Sequence, residues 1–440
     1  MRKLNGDKLQ FHFFDVHPNA KLTVDFQRTL RIPDDGATYA LPPGLGSFPI
    51  RKIAEFPRVP AAWKERQGVM IPLHQAEALW MKFNVAQTMN EPYPFAVKIS
   101  AGKRSAVTGA PWAEGLSKGD YVVCPNQPWL DGFCTDTGKI SQFVAAALGS
   151  GLSVEKQLSG EEVHGGLQIE VFPMKASEYE KRFGFGKRLR DMRRECNYGL
   201  SDCKRALQEC EGNIRRAIEQ LDGIHLTKGK ADKGWVGGVH VGRRRSSRRK
   251  ASLSTEPTLG FGKDPEFKGV VECCAGSAGA EAGAATMDWM EQEQYREYSS
   301  DTYGSQVKTR GLVTPKPDMS MAAGGNMTQK IHEDPYGIDV WDLEHSSRVF
   351  VHLTNSQAWE GITGEKCPST PVTAALYKKY GYKWYTHEAP GKAVGPTPAM
   401  KTIKTGQEVA EEHGSPFLPE NESFGIPAHE IVNLVKDGNW

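Results

Sequence analysis

Residues 187–222 read Lys-Arg-Leu-Arg-Asp-Met-Arg-Arg-Glu-Cys-Asn-Tyr-Gly-Leu-Ser-Asp-Cys-Lys-Arg-Ala-Leu-Gln-Glu-Cys-Glu-Gly-Asn-Ile-Arg-Arg-Ala-Ile-Glu-Gln-Leu-Asp. Leu189, Met192 and Cys196 share one face of a first helix. Cys203, Ala206, Leu207 and Cys210 recur at i, i+3, i+4 and i+7, as do Ile214, Ala217, Ile218 and Leu221. Ser201 is placed to cap the second helix, and Gly212-Asn213 provides the stop and turn before the third. Three helices this short must share one small core. The spacing also reads Cys196, Cys203 and Cys210 as small core or near-core residues rather than a metal cluster.

Outward from this stretch the composition changes on both sides. Residues 1–178 are punctuated as strands and turns: Lys8-Leu-Gln-Phe-His-Phe-Phe, Leu22-Thr-Val-Asp-Phe, Tyr121-Val-Val-Cys and Leu167-Gln-Ile-Glu-Val-Phe are short, branched or aromatic, and bounded by Gly, Pro, Asn and Asp. The apolar spacing of Gln75-Ala-Glu-Ala-Leu-Trp-Met-Lys-Phe fits a helix slightly better than a strand, and Ser141-Gln-Phe-Val-Ala-Ala-Ala-Leu is ambiguous. Residues 227–325 are rich in Gly, Ser, Arg and Ala, too poor in apolar surface to offset their ordering entropy, and predict a disordered linker with one short island at Met287-Asp-Trp-Met. Core-forming density returns in 326–440, which either completes the first body or folds as a small C-terminal domain; completion of one sheet is the favoured arrangement. The expected fold is α+β, a mostly-strand body carrying a small three-helix bundle at 183–224 and a disordered insert.

The chain has 440 residues, 39% hydrophobic and 25% charged, with a net charge of +2. That balance excludes a globally basic nucleic-acid binder, although not a local patch. No apolar run approaches the ~18–20 residues needed to span a bilayer. The start at Met1 leads into Gln10-Phe-His-Phe-Phe rather than a long apolar run, which argues against a signal peptide. Eight cysteines in this length are too sparse for a disulfide scaffold and read as reduced intracellular thiols. The expected compartment is cytoplasmic, without membrane association.

The helical stretch resembles ubiquitin-associated (UBA) modules, and most closely the UBA-like N-terminal module of elongation factor Ts. Gly199, Asp202-Cys203-Lys204, Ala206-Leu207, Gly212-Asn213-Ile214, Ala217-Ile218 and Leu221 carry the resemblance. It implies ubiquitin as a candidate protein partner, bound through Cys196, Asn197 and Tyr198 in the loop after the first helix and Leu221 in the last. Asn197 is suited to a left-handed loop backbone, while Cys196 stands where the ubiquitin-binding pattern has methionine. Outside it, Pro94-Phe-Ala-Val-Lys-Ile, Pro125-Asn-Gln-Pro-Trp-Leu-Asp-Gly-Phe and Glu333-Asp-Pro-Tyr resemble a group of bacterial-type proteins. That resemblance implies a shared fold for 8–175 and 326–390 and supplies no chemistry.

Other motifs were weighed against structural readings. Gly115-Leu-Ser-Lys-Gly119 matches a nucleophile elbow in letters, but a Gly/Pro-rich stretch precedes it and a strand follows. Ala101-Gly-Lys-Arg-Ser105 reads as a hairpin turn rather than a phosphate loop. His332, Glu333, Asp334, Asp339, Asp342, Glu344, His345 and His352 form the richest polar constellation; His332, Asp334, Asp339 and His345 are the metal candidates, against turn and capping chemistry before a strand. Pro125–Asp131 offers a rigid aromatic loop, with Trp129 and Asp131 as pocket residues. Arg243–Lys250 places six cations in eight residues, a candidate nucleic-acid contact or nuclear-targeting signal, with Ser246, Ser247 and Ser252 as phosphorylation candidates beside it. The favoured function is a non-catalytic interaction adaptor or scaffold. An enzyme of unknown reaction using residues 332–352, and an RNA or translation-associated binder, are the alternatives. No cofactor is named by the sequence.

Overall fold

The computed structural model describes residues 2–86, 92–210, 212–231, 318–369, 372–387, 390–414 and 423–434, with side chains of the helix ending at 231 described as far as 223. Two compact units result: a sheet unit from the described residues up to 176 and from 318 onward, and a helical unit from 177 to 231.

The sheet unit is built on seventeen hydrogen-bonded strands. Its antiparallel spine runs Lys8–His12, Lys21–Thr29, Ala78–Val85, Lys139–Ala147, Asp318–Thr328, Ser347–Asn355, Leu167–Pro173 and Phe95–Ala101. Val69–Leu73 joins Ser347–Asn355 in parallel, and Thr38–Tyr39 joins Asp318–Thr328 likewise. Strands Val69–Leu73, Phe95–Ala101 and Leu167–Pro173 are buried along their whole length. Strands covered on both faces read as continuous apolar runs rather than alternating ones.

The same burial overturns the helix expected at 75–83. Ala78, Leu79, Trp80 and Met81 are consecutive buried residues of strand Ala78–Val85, so the period of two is erased. The ambiguous stretch from Ser141 is also a strand, Lys139–Ala147. Small side chains let a helix lie close on this part of the sheet: Ala78, Val144, Ala146 and Ala322 pack with Val409 and Ala410 of helix Gly406–Glu412. That helix opens with a capping box, Thr405 and Glu408 each bonding the other's backbone. Gly102 and Lys103 both take positive φ between Ser100–Ala101 and the antiparallel Arg104–Ser105, a two-residue hairpin as the sequence indicates.

The expected fold is corrected in its composition. One predominantly antiparallel sheet dominates the described chain, and the helical unit is not the small three-helix UBA-like bundle anticipated. Four successive helices are present, Ala176–Phe183, Phe185–Glu195, Leu200–Glu209 and Ile214–Ala231, the last running past the expected end at 224. Met192, Cys203, Ala206, Leu207, Ala217 and Leu221, all from the last three of these helices, form a buried core. Strand Asp318–Thr328 crosses the boundary expected at 325, where Asn326 and Met327 sit between Lys139–Ala147 and Thr38–Tyr39. The rest of the expected linker, from 232 to 317, lies outside the described residues, and with it Met287, the Arg243–Lys250 run and its serines.

Candidate functional site

The Pro125–Asp131 segment and the start of the 332–352 cluster meet inside the sheet unit. The Gln127 amide donates to the Trp129 carbonyl at 2.9 Å, and its Oε1 accepts the His332 backbone N–H at 3.1 Å. Two residues on, Gln329 grips Asp131 twice. Its Nε2 donates to the Asp131 carboxylate at 2.6 Å, and its Oε1 accepts the Asp131 N–H at 3.0 Å. Gly132 permits the next close approach, because a Cβ there would sit 2.1 Å from the Ser141 carbonyl oxygen.

Trp129 and Asp131 line a cavity together with Trp80, Tyr385, Pro42 and Pro43. With its open mouth the cavity holds about 300 Å³. Burial pushes the Asp131 carboxyl up to about 7, with the Gln329 hydrogen bond pulling the other way. Behind Trp129, His387 packs with ring centroids 4.9 Å apart, and His332 meets His387 edge-on at 6.0 Å. Burial, followed by the His332 charge, lowers His387 to about 4; burial and Lys330 lower His332. Both imidazoles are therefore neutral near pH 7. The His332 Nε2 is buried with no hydrogen-bond partner among the described residues. Trp129 and Asp131 stand out in the sequence as a rigid loop. Trp80, Gln329, Tyr385 and His387 do not, because nothing local marks residues that meet only through strand pairing.

The remaining metal candidates are dispersed over other contacts. Asp334 accepts from the Tyr121 hydroxyl at 2.6 Å and the Trp341 indole at 2.9 Å, tying a turn to the sheet. Asp339 offers its backbone carbonyl to Lys175 at 2.8 Å. His345 pairs at the surface with Asp342 at 2.9 Å, and Asp342 also accepts the backbone N–H groups of Glu344 and His345. His352 points elsewhere, to the Gln67 carbonyl, with its ring stacked 4.6 Å from Trp63. Among the described residues no three His, Cys, Asp or Glu side chains converge as metal ligands. Ser117 lies in a turn closed by Asp120, and the Gly115 carbonyl accepts from Lys98, so the elbow-like letters form a loop clasp.

In the helical unit the loop after Phe185–Glu195 places Cys196, Asn197 and Tyr198 together. Asn197 does not take the left-handed backbone expected of it; among the described non-glycine residues only Gln67, Ala76 and Lys103 have positive φ. The cap of the next helix is Gly199, without a side-chain bond, so Ser201 falls inside the first turn. Tyr198 is half-buried and donates its hydroxyl to Asp222. Cys196 lies 3.6 Å from Cys203, sulfur to sulfur, against the helical core. Leu221 is 2% exposed and belongs to that core rather than to the surface. Leu200, which no motif marked, is 54% exposed beside the loop. Arg193 and Arg194 end the preceding helix, while Lys204 and Arg205 lie one turn beyond Leu200, all four exposed.

Comparison with known proteins adds one finding. A 45-residue stretch is 49% identical to elongation factor Ts of Wolbachia sp. subsp. Drosophila simulans (strain wRi) and of Wolbachia pipientis wMel, and 51% identical to that of Wolbachia sp. subsp. Brugia malayi (strain TRS). The stretch is 10% of this chain and covers 15% of each relative's length. No family model and no solved structure matches the chain. No helix among the described residues is long and apolar enough to cross a membrane.

Proposed function

We propose that the protein is an interaction adaptor whose helical unit docks a protein partner of the translation elongation machinery. The observation that carries this reading is the loop at 196–200. A leucine more than half exposed stands beside a tyrosine among charges of both signs: Arg193, Lys204 and Glu195 are exposed, Arg194 pairs with Asp191, and Arg205 pairs with Asp202. An exposed apolar residue among charges of both signs suits a protein surface with complementary charges around an apolar recess, since the charges steer encounter while the leucine and tyrosine supply buried area. The similarity to elongation factor Ts supports a partner connected with translation. Ubiquitin is the second reading, supported by the sequence resemblance of the same loop. The Cys196 in place of methionine and the enclosure of Leu221 weigh against it.

The test uses the full chain immobilised in an extract of actively translating bacteria, with captured proteins identified by mass spectrometry. Wild type is expected to retain translation elongation proteins, and Leu200→Asp to lose them while remaining folded. Capture of the same set by both variants would refute the loop as the docking site. A parallel titration with purified ubiquitin separates the two readings: chemical-shift changes at Cys196, Asn197 and Tyr198 would favour ubiquitin.

A further inference from the structure

The cavity in the sheet unit has a composition unlike that of an ordinary packing void. Trp80, Trp129 and Tyr385 supply three aromatic walls, and Asp131 supplies a carboxyl group. The other lining residues are Leu41, Pro42, Pro43 and Leu434. Only one Asp131 oxygen is engaged, by Gln329; the other has no hydrogen-bond partner among the described residues. No lysine or arginine pairs with this carboxylate there, and no cationic group offsets its burial. Above about pH 7, where Asp131 is ionised, a buried carboxylate with a vacant oxygen beside aromatic rings attracts a cation, because ring quadrupoles and a negative charge act together in a desolvated space.

The wall also states which cation it suits. A primary ammonium brings three N–H donors that must be satisfied once water is removed. Two carbonyls of the lining residues already accept hydrogen bonds. That of Leu41 accepts the Tyr385 N–H at 2.9 Å, and that of Pro43 accepts the hydroxyls of Tyr377 at 2.6 Å and Thr29 at 3.1 Å. A hydrated metal ion would need still more oxygen ligands than one free carboxylate atom provides. A quaternary ammonium asks for no hydrogen bond at all. The cavity is open to solvent, with about 300 Å³ of space when its mouth is counted, so such a head enters it from outside.

We propose that the cavity formed by Trp80, Trp129, Tyr385 and Asp131 is a binding site for a quaternary ammonium group, either of a small molecule or of a trimethylated lysine side chain. The head enters from the open mouth beside the aromatic rings, and the ionised Asp131 carboxylate balances its charge. This site is independent of the helical loop and stands or falls separately from it.

Calorimetric titration of the full chain at about pH 8.5, where the Asp131 carboxyl is ionised, with tetramethylammonium, choline and a trimethyl-lysine peptide tests the assignment, with 3,3-dimethylbutan-1-ol as the neutral isostere of choline. Choline is expected to bind about tenfold or more tightly than the isostere, because only the cation gains from the rings and the carboxylate. Asp131→Asn, which keeps the shape and the Gln329 contact, is expected to weaken choline binding by about tenfold and to leave the isostere unchanged. Whichever of choline and the peptide binds more tightly than tetramethylammonium identifies the source of the head; equal binding of all three means the head alone is read. Equal affinity of choline and its isostere, or the absence of binding by every cation at about 50 mM, would overturn the proposal, since a working cage gives at least millimolar affinity. The wild-type comparison decides the matter even if Asp131→Asn fails to fold.

Discussion

The cavity around Asp131 and the loop at Asn197–Leu200 are opposite kinds of site. Asp131 is enclosed and held by Gln329, 198 residues away, while Gln127 reaches His332 across 205. In the loop, Tyr198 reaches Asp222 across 24 residues, and its charged neighbours form short-range surface pairs such as Arg205–Asp202 at 3.2 Å. The first site depends on the whole sheet being assembled. The second is made by two neighbouring helices, the turn between them and one contact to the helix that follows. Changes in the sheet unit should therefore act through buried polar groups, and changes in the helical unit through exposed ones.

The largest effect is expected at Lys98, a 2% exposed side chain that pairs with Asp120 at 3.0 Å and lies 4.7 Å from the centre of the Trp112 ring. Asp120→Ala leaves that ammonium buried without its carboxylate, and should cost about 3–5 kcal/mol in urea unfolding. A loss below about 1 kcal/mol would show that Lys98 reaches water and that the contrast between the units is overstated.

Asp131→Asn sharpens the comparison through pH. Burial raises the folded-state pKa to about 7, against about 3.9 in an unfolded chain. The folded state therefore holds the proton more tightly, and its contribution is fully present below about pH 4 and lost as pH rises through 7. Asparagine cannot ionise, so the variant should gain on wild type between pH 4 and pH 8, by up to about 4 kcal/mol. A stability gap between the two that does not change across this range would show that Asp131 is not the titrating group.

Glu155 tests whether backbone loops in the sheet unit share this dependence. Its carboxylate accepts three N–H groups, from Val163 at 3.1 Å, His164 at 2.8 Å and Gly165 at 2.9 Å. Glu155→Ala orphans them and should cost about 1–3 kcal/mol, with faster amide exchange at 163–165. Unchanged exchange there would mean the loop is held by other contacts. The smallest effect belongs to the helical unit. Asp202→Ala breaks the exposed pair with Arg205 and should alter stability by less than about 1 kcal/mol. A larger loss would place Asp202 in the fold of that unit.

The same division explains what could be read from sequence. Strands Lys8–His12, Lys21–Thr29 and Leu167–Pro173 were legible because turn residues bound them and their side chains are branched or aromatic. Helices Leu200–Glu209 and Ile214–Ala231 were legible because one face faces a core and the other water. Ala78–Val85 was misread because burial on both sides removes the alternation that identifies a strand. The number of helices was misread because Ala176–Phe183 carries few apolar residues and only Tyr179 is buried. Trp129 and Asp131 stood out locally, but their connection to Gln329 and His332 follows from strand register, which no local pattern encodes. His345 and Asp339 shared a sequence neighbourhood with His332 and nothing more, since the chain turns between them at Asp334.

A protein partner that docks on the helical loop rather than on the sheet must protect that loop. Amide hydrogen exchange of the full chain, measured alone and with the elongation protein captured from the translating extract, tests it most directly. Slower exchange at 196–205 with the strands of the sheet unchanged is the expected result. Slowing confined to the sheet strands, with 196–205 exchanging as in the free protein, would contradict it.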